Sequence, residues 1–439
     1  MIELMERTDR AHYEADLKRV QALESPAWMK DIREAGAARF AEMDFPHYKQ
    51  EAWRLTNVGP VVKTPFRSVV GEPSGHVTPD DVAAHLYDAP EWTQLVFVDG
   101  FLSRELSRMG DSTQAVRVGG IGEAVAKGDE ILEEHLAKSA EYTNAFVALN
   151  TAFLQDGAYI HVSEGAAPSA PIHLLFISTG VDTIASYPRN LIILGKSAEA
   201  EIVESYVGLN NTAGYLNNVV TEIVMEDNAT LRRYKVVREG SAGHHLATTK
   251  VMQGRDTNFH SFSISLTGQI VRNELDVVLG GEGANALLSG LYLNDGDRLI
   301  DNALRVTHAS PKCYSRMAYK GVLDGTSRSV FTGKVLVPQG SQQTDSNQLN
   351  NNLLLSDKAT LDTKPQLEIF ADDVKCTHGA TIGGFPRELI FYFQSRGMTE
   401  AMAHAILTFG FASEIVDKIN IDPLRERLSK YVFDKYRPK

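Results

Sequence analysis

The residues of this chain best suited to chemistry lie at Cys376-Thr377-His378, inside the stretch Ile369-Phe370-Ala371-Asp372-Asp373-Val374-Lys375-Cys376-Thr377-His378-Gly379-Ala380-Thr381-Ile382-Gly383. In an extended segment side chains alternate between faces, so Cys376 and His378 point the same way, about 6–7 Å apart. A soft thiolate and an imidazole suit a thiophilic metal or cluster, but a closed structural site takes about four ligands. The pair is therefore half of a site, or it is a packed thiol beside a hydrogen-bonded histidine, since free cysteine is among the most buried residue types. Asp372, Asp373 and Lys375 offer a different chemistry: acid–base groups of the kind a polysaccharide-active β-helix enzyme would use.

Other motifs carry less. Gly195-Lys196-Ser197 resembles the end of a phosphate-binding loop, but Asn190 stands where that loop needs its first glycine. Gly281-Glu282-Gly283-Ala284-Asn285-Ala286 matches a dinucleotide fingerprint, which requires a helix over residues 284–295 to face a pyrophosphate. The strand-like Leu291-Tyr292-Leu293 arrives too soon for one, and the segment reads as a turn. His244 and His245 face opposite ways if extended and make a poor chelate. His308, near Lys312-Cys313, stands alone.

The elements that position Cys376 and His378 follow from the pattern of the whole chain. Its 439 residues, 43% hydrophobic with a net charge of −12, have no electrostatic footprint of a nucleic-acid binder. No apolar run approaches transmembrane length. The first ten residues are polar and mixed in charge, without the h-region of a secretory signal. Two cysteines far apart make no disulfide framework, and the chain reads as cytoplasmic.

Residues 1–156 read as a helical and mixed region. Ser25-Pro26 predicts an N-cap hydroxyl before a first-turn proline, followed by an apolar stripe of Trp28, Met29, Ile32 and Ala35. Pro60, Pro65, Pro73 and Pro79 predict loop with short extended pieces. Leu95 to Val98 predicts a strand entering a turn at Asp99-Gly100. Helical periodicity covers residues 129–138 and 143–154.

From 157 to 383 the pattern is short runs of Val, Ile, Leu, Thr, Phe and Tyr between Gly, Asn and Asp turns. The turn element recurs at Lys196-Ser197-Ala198, Asp227-Asn228-Ala229, Glu282-Gly283-Ala284, Asp324-Gly325-Thr326 and Asp357-Lys358-Ala359. Such a sequence fits a sandwich, a barrel or a solenoid. About 225 residues of short strands without a helical stripe, with this recurring turn, favour a parallel β-helix. Uneven intervals of roughly 27 to 55 residues suit coils of two or three strands with insertions. A coil cannot bury its apolar face alone, so stacking must supply the core. Exposed coil ends must be capped or paired, and the helical regions at both ends of the chain are the natural caps. Gln339 to Asn352 reads as a loop, either solvated or placing its amides in stacked rows.

Residues 384–439 are helical. Pro386 opens a helix with Leu389, Ile390 and Phe393 on one face, ended by Gly397. Thr399 caps the next, with Met402, Ile406, Leu407 and Phe409 inward and Gly410 as its stop. Residues 414–419 and 422–431 form two short pieces. The surplus of large apolar side chains (Phe391, Tyr392, Met398, Met402, Phe409) fits either cap packing or a partner surface.

The tract from Phe370 to Gly383, with Leu389-Ile390-Phe391-Tyr392-Phe393-Gln394-Ser395-Arg396-Gly397-Met398, resembles the signature of the SufB/SufD family, scaffold components of the SUF iron–sulfur assembly machinery. Pro46-His47-Tyr48-Lys49-Gln50-Glu51-Ala52-Trp53-Arg54-Leu55 is similar to the N-terminal motif of its SufD branch. Thr377 and Gly379 stand where the SufB branch has acidic residues beside the histidine. The resemblance spans about residues 25–420.

The resemblance implies a right-handed parallel β-helix flanked by helical regions, and a non-enzymatic scaffold role. It implies pairing with a SufB-type paralogue through the β-helix ends and docking of a SufC-type ABC ATPase on the C-terminal helices. A homodimer is the alternative for the isolated chain. His378, with Cys376 as neighbour, would contribute to a transient iron–sulfur cluster shared with the partner chain, none being held tightly by this chain alone. A secreted glycan-active enzyme using Asp372, Asp373 and Lys375 is the competing reading, and it predicts a secretion signal.

Overall fold

The computed structural model describes residues 11–110, 115–209 and 214–438; the polar first ten residues lie outside the described residues. From Ala158 to Gly383 the described chain consists of strands and turns without a helix. Strands beginning at Glu199, Thr230, Asn258, Asn285, Tyr314, Thr344 and Val374 stack in one sheet, the second, and the strands between them stack in the first. Stacked neighbours are parallel. The chain is thus a two-sheeted parallel β-solenoid, as expected. Each coil has two strands and repeats every 27–31 residues, which corrects the uneven two-or-three-strand reading. The turns at 196–198, 227–229 and 282–284 lie on one edge and those at 324–326 and 357–359 on the other. Mixing the two edges made a regular repeat look irregular.

The repeat has a local cause. At the same corner of successive coils, Ser197, Asn228, Asp256, Gly283, Lys312 and Gln343 take positive φ, between 54° and 75°. Short polar residues and glycine bear that conformation best; Lys312 and Gln343 are held in it by the ladder. Each of these residues donates its N–H to a carbonyl in the next coil's turn, at Asp227, Arg255, Glu282, Pro311, Gln342 and Asp373. The following residue turns into the corner and is small: Ala198, Ala229, Thr257, Ala284, Cys313 and Thr344, all buried. Cys313 is therefore a corner filler, its thiol donating to the Gly281 carbonyl at 3.3 Å. Inward side chains repeat in register, as in the stacked rings of Phe97, Phe176 and Tyr206, with centroids 4.7 Å apart at both steps. Every inward apolar group thereby meets its counterpart about 4.8 Å along the axis.

The N-terminal helices lie mainly on the outer face of the first sheet, with the segment around Pro79–Ala83 reaching the second, and the C-terminal helices lie on the outer face of the second. Helix Ala27–Glu42 packs on helix Ala145–Ala152 through Met29, Arg33, Gly36 and Phe40. Trp28 and Ile32 are only half-buried and Ala35 is exposed, so the predicted stripe is displaced. Gly36 explains the displacement: a Cβ there would meet the Ala152 nitrogen at 2.6 Å, so only glycine permits the approach. Arg33 completes the seam by donating from Nε to the Leu154 carbonyl at 2.6 Å. The Ser25 hydroxyl accepts from Arg33 at 2.8 Å and does not cap the helix. The proline-rich segment holds two short helices, Gly59–Lys63 and Pro79–Ala83, the second closed by a Thr78–Asp81 capping box. The expected strand and turn are present, and strand Thr93–Val98 continues through Asp99-Gly100 into Phe101–Arg108, an antiparallel hairpin that extends one sheet. Strand Val116–Gly120 extends the other. Arg104, Glu105, Arg108 and Arg117 are exposed on these edge strands.

The C-terminal helices, Arg387–Gln394, Glu400–Val416 and Asp422–Tyr436, do not cap the solenoid. They fold back along the outer face of the second sheet, where Ala412, Ile415, Val416, Leu424, Leu428 and Val432 bury against Val203, Tyr234, Phe262 and Leu291. The middle helix runs through Gly410 and takes in residues 414–416. Gly410 sits on the exposed side, where it costs helix propensity, about 1 kcal/mol, but breaks nothing. The small residues Ala403, Thr408 and Ala412 face inward, allowing close packing and leaving Met402 and Ile406 outside.

Candidate functional site

The last coil is open. Strand Val374–Gly383 pairs on one side only, with Thr344–Leu354, and strand Thr360–Ile369 only with Arg328–Val337. Cys376 lies in register with Ser346, and His378 with Gln348. Ser346 and Gln348 are buried in the lumen, so Cys376 and His378 continue the inward-facing row with no coil beyond to cover them. Cys376 is half-buried, packed on the edge of the solenoid core. His378 is exposed, and its ring makes no hydrogen bond or ion pair among the described residues.

The two readings of the pair thus divide between its members: Cys376 is partly packed, while His378 is a free donor at the surface. Burial pushes the Cys376 thiol pKa up, the nearby Asp345 carboxylate adds to it, and the Ser346 N–H opposes. The thiol is therefore protonated at neutral pH in the isolated chain, and a metal would have to displace that proton. Among the described residues no group of three or more His, Cys, Asp or Glu side chains could hold a metal. The open coil offers two donors.

The segment beneath is the one read as a loop. Thr344–Leu354 is a strand, because alternate residues find fixed partners. Inside, Gln348 donates to the Gly333 carbonyl at 3.2 Å, and Asn350 Nδ2 to the Tyr292 hydroxyl at 3.1 Å. Outside, Asn347 donates to Thr377 at 2.7 Å, and Thr381 to Asn351 at 3.0 Å. The amides are thus neither left to solvent nor stacked on one another: they bond to hydroxyls and carbonyls of adjacent coils, and Asn347, Asn351 and Asn352 tie the strand that carries Cys376 and His378.

The rim is apolar: Phe370 is 63% and Ile382 49% exposed, with Ile369 and Leu349 also uncovered. Asp372 and Asp373 form the exposed corner turn of the last coil, where the Asp373 carbonyl accepts from Gln343 N. Lys375 is exposed beside them. They line no cleft among the described cavities. The dinucleotide reading fails outright, since residues 285–294 are a strand. His244 and His245 face opposite ways as predicted, His245 inward onto Glu239 at 2.9 Å. On the C-terminal helices Phe391, Tyr392 and Met402 are exposed. Met398 and Phe409 are half-buried, Phe409 against the ring of Phe433. Leu389, Ile406 and Phe433 join the exposed set. The signal for Met402 and Ile406 lay in the small residues on the opposite side of their helix.

The fold is thus a parallel β-solenoid flanked by helices, open at one end, with a thiol and an imidazole on its last rung. Residues 176–411 match the family model described as SUF system FeS cluster assembly, SufBD core domain, and residues 8–174 match the SufBD protein N-terminal region. The chain is 31% identical over 443 residues to an iron–sulfur cluster assembly SufBD family protein of Synechocystis, covering 97% of each. It is 31% identical over 386 residues to the iron–sulfur cluster assembly protein SufD of Escherichia coli, covering 87% of each. A SufD of Bacillus subtilis is 24% identical over 422 residues, covering 92% of this chain and 93% of the relative. The chain belongs to the SufBD family of the SUF iron–sulfur cluster assembly system. No helix among the described residues is long and apolar enough to cross a membrane.

Proposed function

We propose that this chain is a SufD-type scaffold subunit that pairs with a SufB-type paralogue through its open coil and works by supplying ligands, not by bond-making catalysis. The observation that carries the reading is the last coil itself. Two strand edges, an apolar rim, the half-buried Cys376 thiol and the exposed His378 ring are left without a further coil there, while the C-terminal helices pack on the outer face of the second sheet. A partner strand on those edges would satisfy their backbone groups and bring further ligands to Cys376 and His378. The nascent cluster is cargo at that seam. His378 serves as ligand or positioning group, and Cys376 gives up its proton as iron binds. The exposed set Phe391, Tyr392 and Met402, with Met398 and Phe409 at its border, is the docking face for a SufC-type ATPase.

The test is reconstitution of the anaerobic assembly with His378→Ala. Because the ring touches nothing that holds the fold, the melting temperature should stay within about 1 °C of the parent, in the range of neutral surface changes. The cluster absorbance per complex should fall severalfold. Unchanged cluster yield would remove His378 from the mechanism, and failure to recover a SufB-type subunit with the parent chain would remove the pairing.

A further inference from the structure

Away from the open end, helix Asp422–Tyr436 closes a cavity of about 30 Å³ against the outer face of the second sheet. Its walls include His85, Tyr87, Ser205, Arg238, Arg427 and Tyr431. Three regions far apart in sequence meet there: the segment after helix Pro79–Ala83, three neighbouring strands, and the last helix. His85, Arg238 and Arg427 are half-buried, so the cavity has a mouth on solvent.

The charge in this cavity is unbalanced. No aspartate or glutamate lines it. Arg238 donates to Nδ1 of His85, which makes that imidazole a neutral acceptor. Burial first, then the Arg238 and Arg427 charges, push the His85 pKa down to about 4 against the smaller opposing pull of the Asp81 carboxylate one turn back. Arg427 lies 5.4 Å over the Tyr87 ring and donates to the carbonyls of Leu86 and Ala84. Neither guanidinium pairs with a carboxylate there, and burial and the Arg427 charge both lower the Arg238 pKa. Elsewhere in the fold, Arg189, Arg233 and Arg272 each hold a carboxylate. Two like charges drawn partly out of water are costly unless a counter-charge joins them. Each guanidinium carries five N–H donors in a planar fork suited to oxyanions, and the contacts above use only a few.

We propose that the Arg238–Arg427 cavity is an oxyanion site, taking one phosphate or sulfate ion and thereby locking the last helix to the sheet and to residues 84–87. The ion enters from the mouth, with its oxygens toward the two guanidiniums. Tyr87 and Ser205, already 3.3 Å apart through their hydroxyls, form the floor.

The test uses the full chain in a zwitterionic buffer, titrated with inorganic phosphate, sulfate or chloride at matched ionic strength. Calorimetry should give one phosphate or sulfate per chain and no saturable chloride heat, and thermal melting should shift upward with saturation. Arg238→Gln should weaken the oxyanion at least tenfold, and Arg238→Lys should fall between it and the parent. Arg427 is left intact because its carbonyl contacts hold the helix. The linewidth of the inorganic phosphate phosphorus resonance tests the parent without any variant: broadening reversed by sulfate and not by chloride is expected. Absence of broadening, or an Arg238→Gln titration equal to the parent's, would overturn the site.

Discussion

Ile382 stands on the rim of the open coil, and replacing it with aspartate tests whether that end is an interface. In the isolated chain the side chain is 49% exposed. Full burial of an isoleucine is worth roughly 1.5–3 kcal/mol, so covering the remaining half would contribute about 1 kcal/mol to pairing. An aspartate at the same place would have to shed its hydration without a partner charge, at a cost of several kcal/mol. Together these give about 3–5 kcal/mol, a loss in affinity of roughly two to four decades. Ile382→Ala, which only removes the apolar contribution, should cost about fivefold. The measurement is interferometry of the full chain against a purified SufB-type subunit, with the melting temperature of each variant alone as the fold control. Affinities for both variants within threefold of the parent, with the fold intact, would refute the reasoning that the rim is covered on assembly.

Arg189 and Glu222 form a fully buried pair at 2.7 Å, and Arg189→Met should lower unfolding free energy by about 3 kcal/mol by removing the counter-charge of a buried carboxylate that keeps its bonds from Ala137, Ser139 and Ala140; chemical denaturation measures it. Gly36→Ala should destabilise despite its better helix propensity, since the new Cβ must push the Ala152 backbone at 2.6 Å, an overpacking cost of roughly 1–3 kcal/mol. Burial pushes the His308 pKa from 6.5 down to about 4, so between those values the unfolded chain binds the extra proton and stability falls as pH falls. The full loss from this group is about 3 kcal/mol. Denaturation midpoints between pH 7 and pH 4 should show a shallower fall in His308→Gln.

The solenoid was legible because its signals are local: a left-handed corner residue followed by a small one marks every coil, and the strand lengths leave no room for helices. The period was not, because turns on opposite edges use the same residue types and only pairing separates them. Thr344–Leu354 was misread because amides usually mean solvent, whereas here the lumen supplies partners such as the Tyr292 hydroxyl and the Gly333 carbonyl. The direction of the C-terminal helices depends on packing between residues as distant as Val203 and Leu428, which periodicity does not encode. For Cys376 and His378, alternation along an extended strand put them on one face, but their place on an uncovered rung follows from what the last helices leave bare.

The two ends of the solenoid differ in how their margins are treated. At the first end, the outermost strands are short, antiparallel and studded with Arg104, Glu105, Arg108 and Arg117, features that discourage further addition of strands. At the other, the margin carries Phe370 and Ile382. If the open coil is the pairing surface proposed above, the described residues give the molecule a valence of one along its long axis. A union that consumes that surface on both participants closes at a pair, whereas two such ends would propagate a fibre.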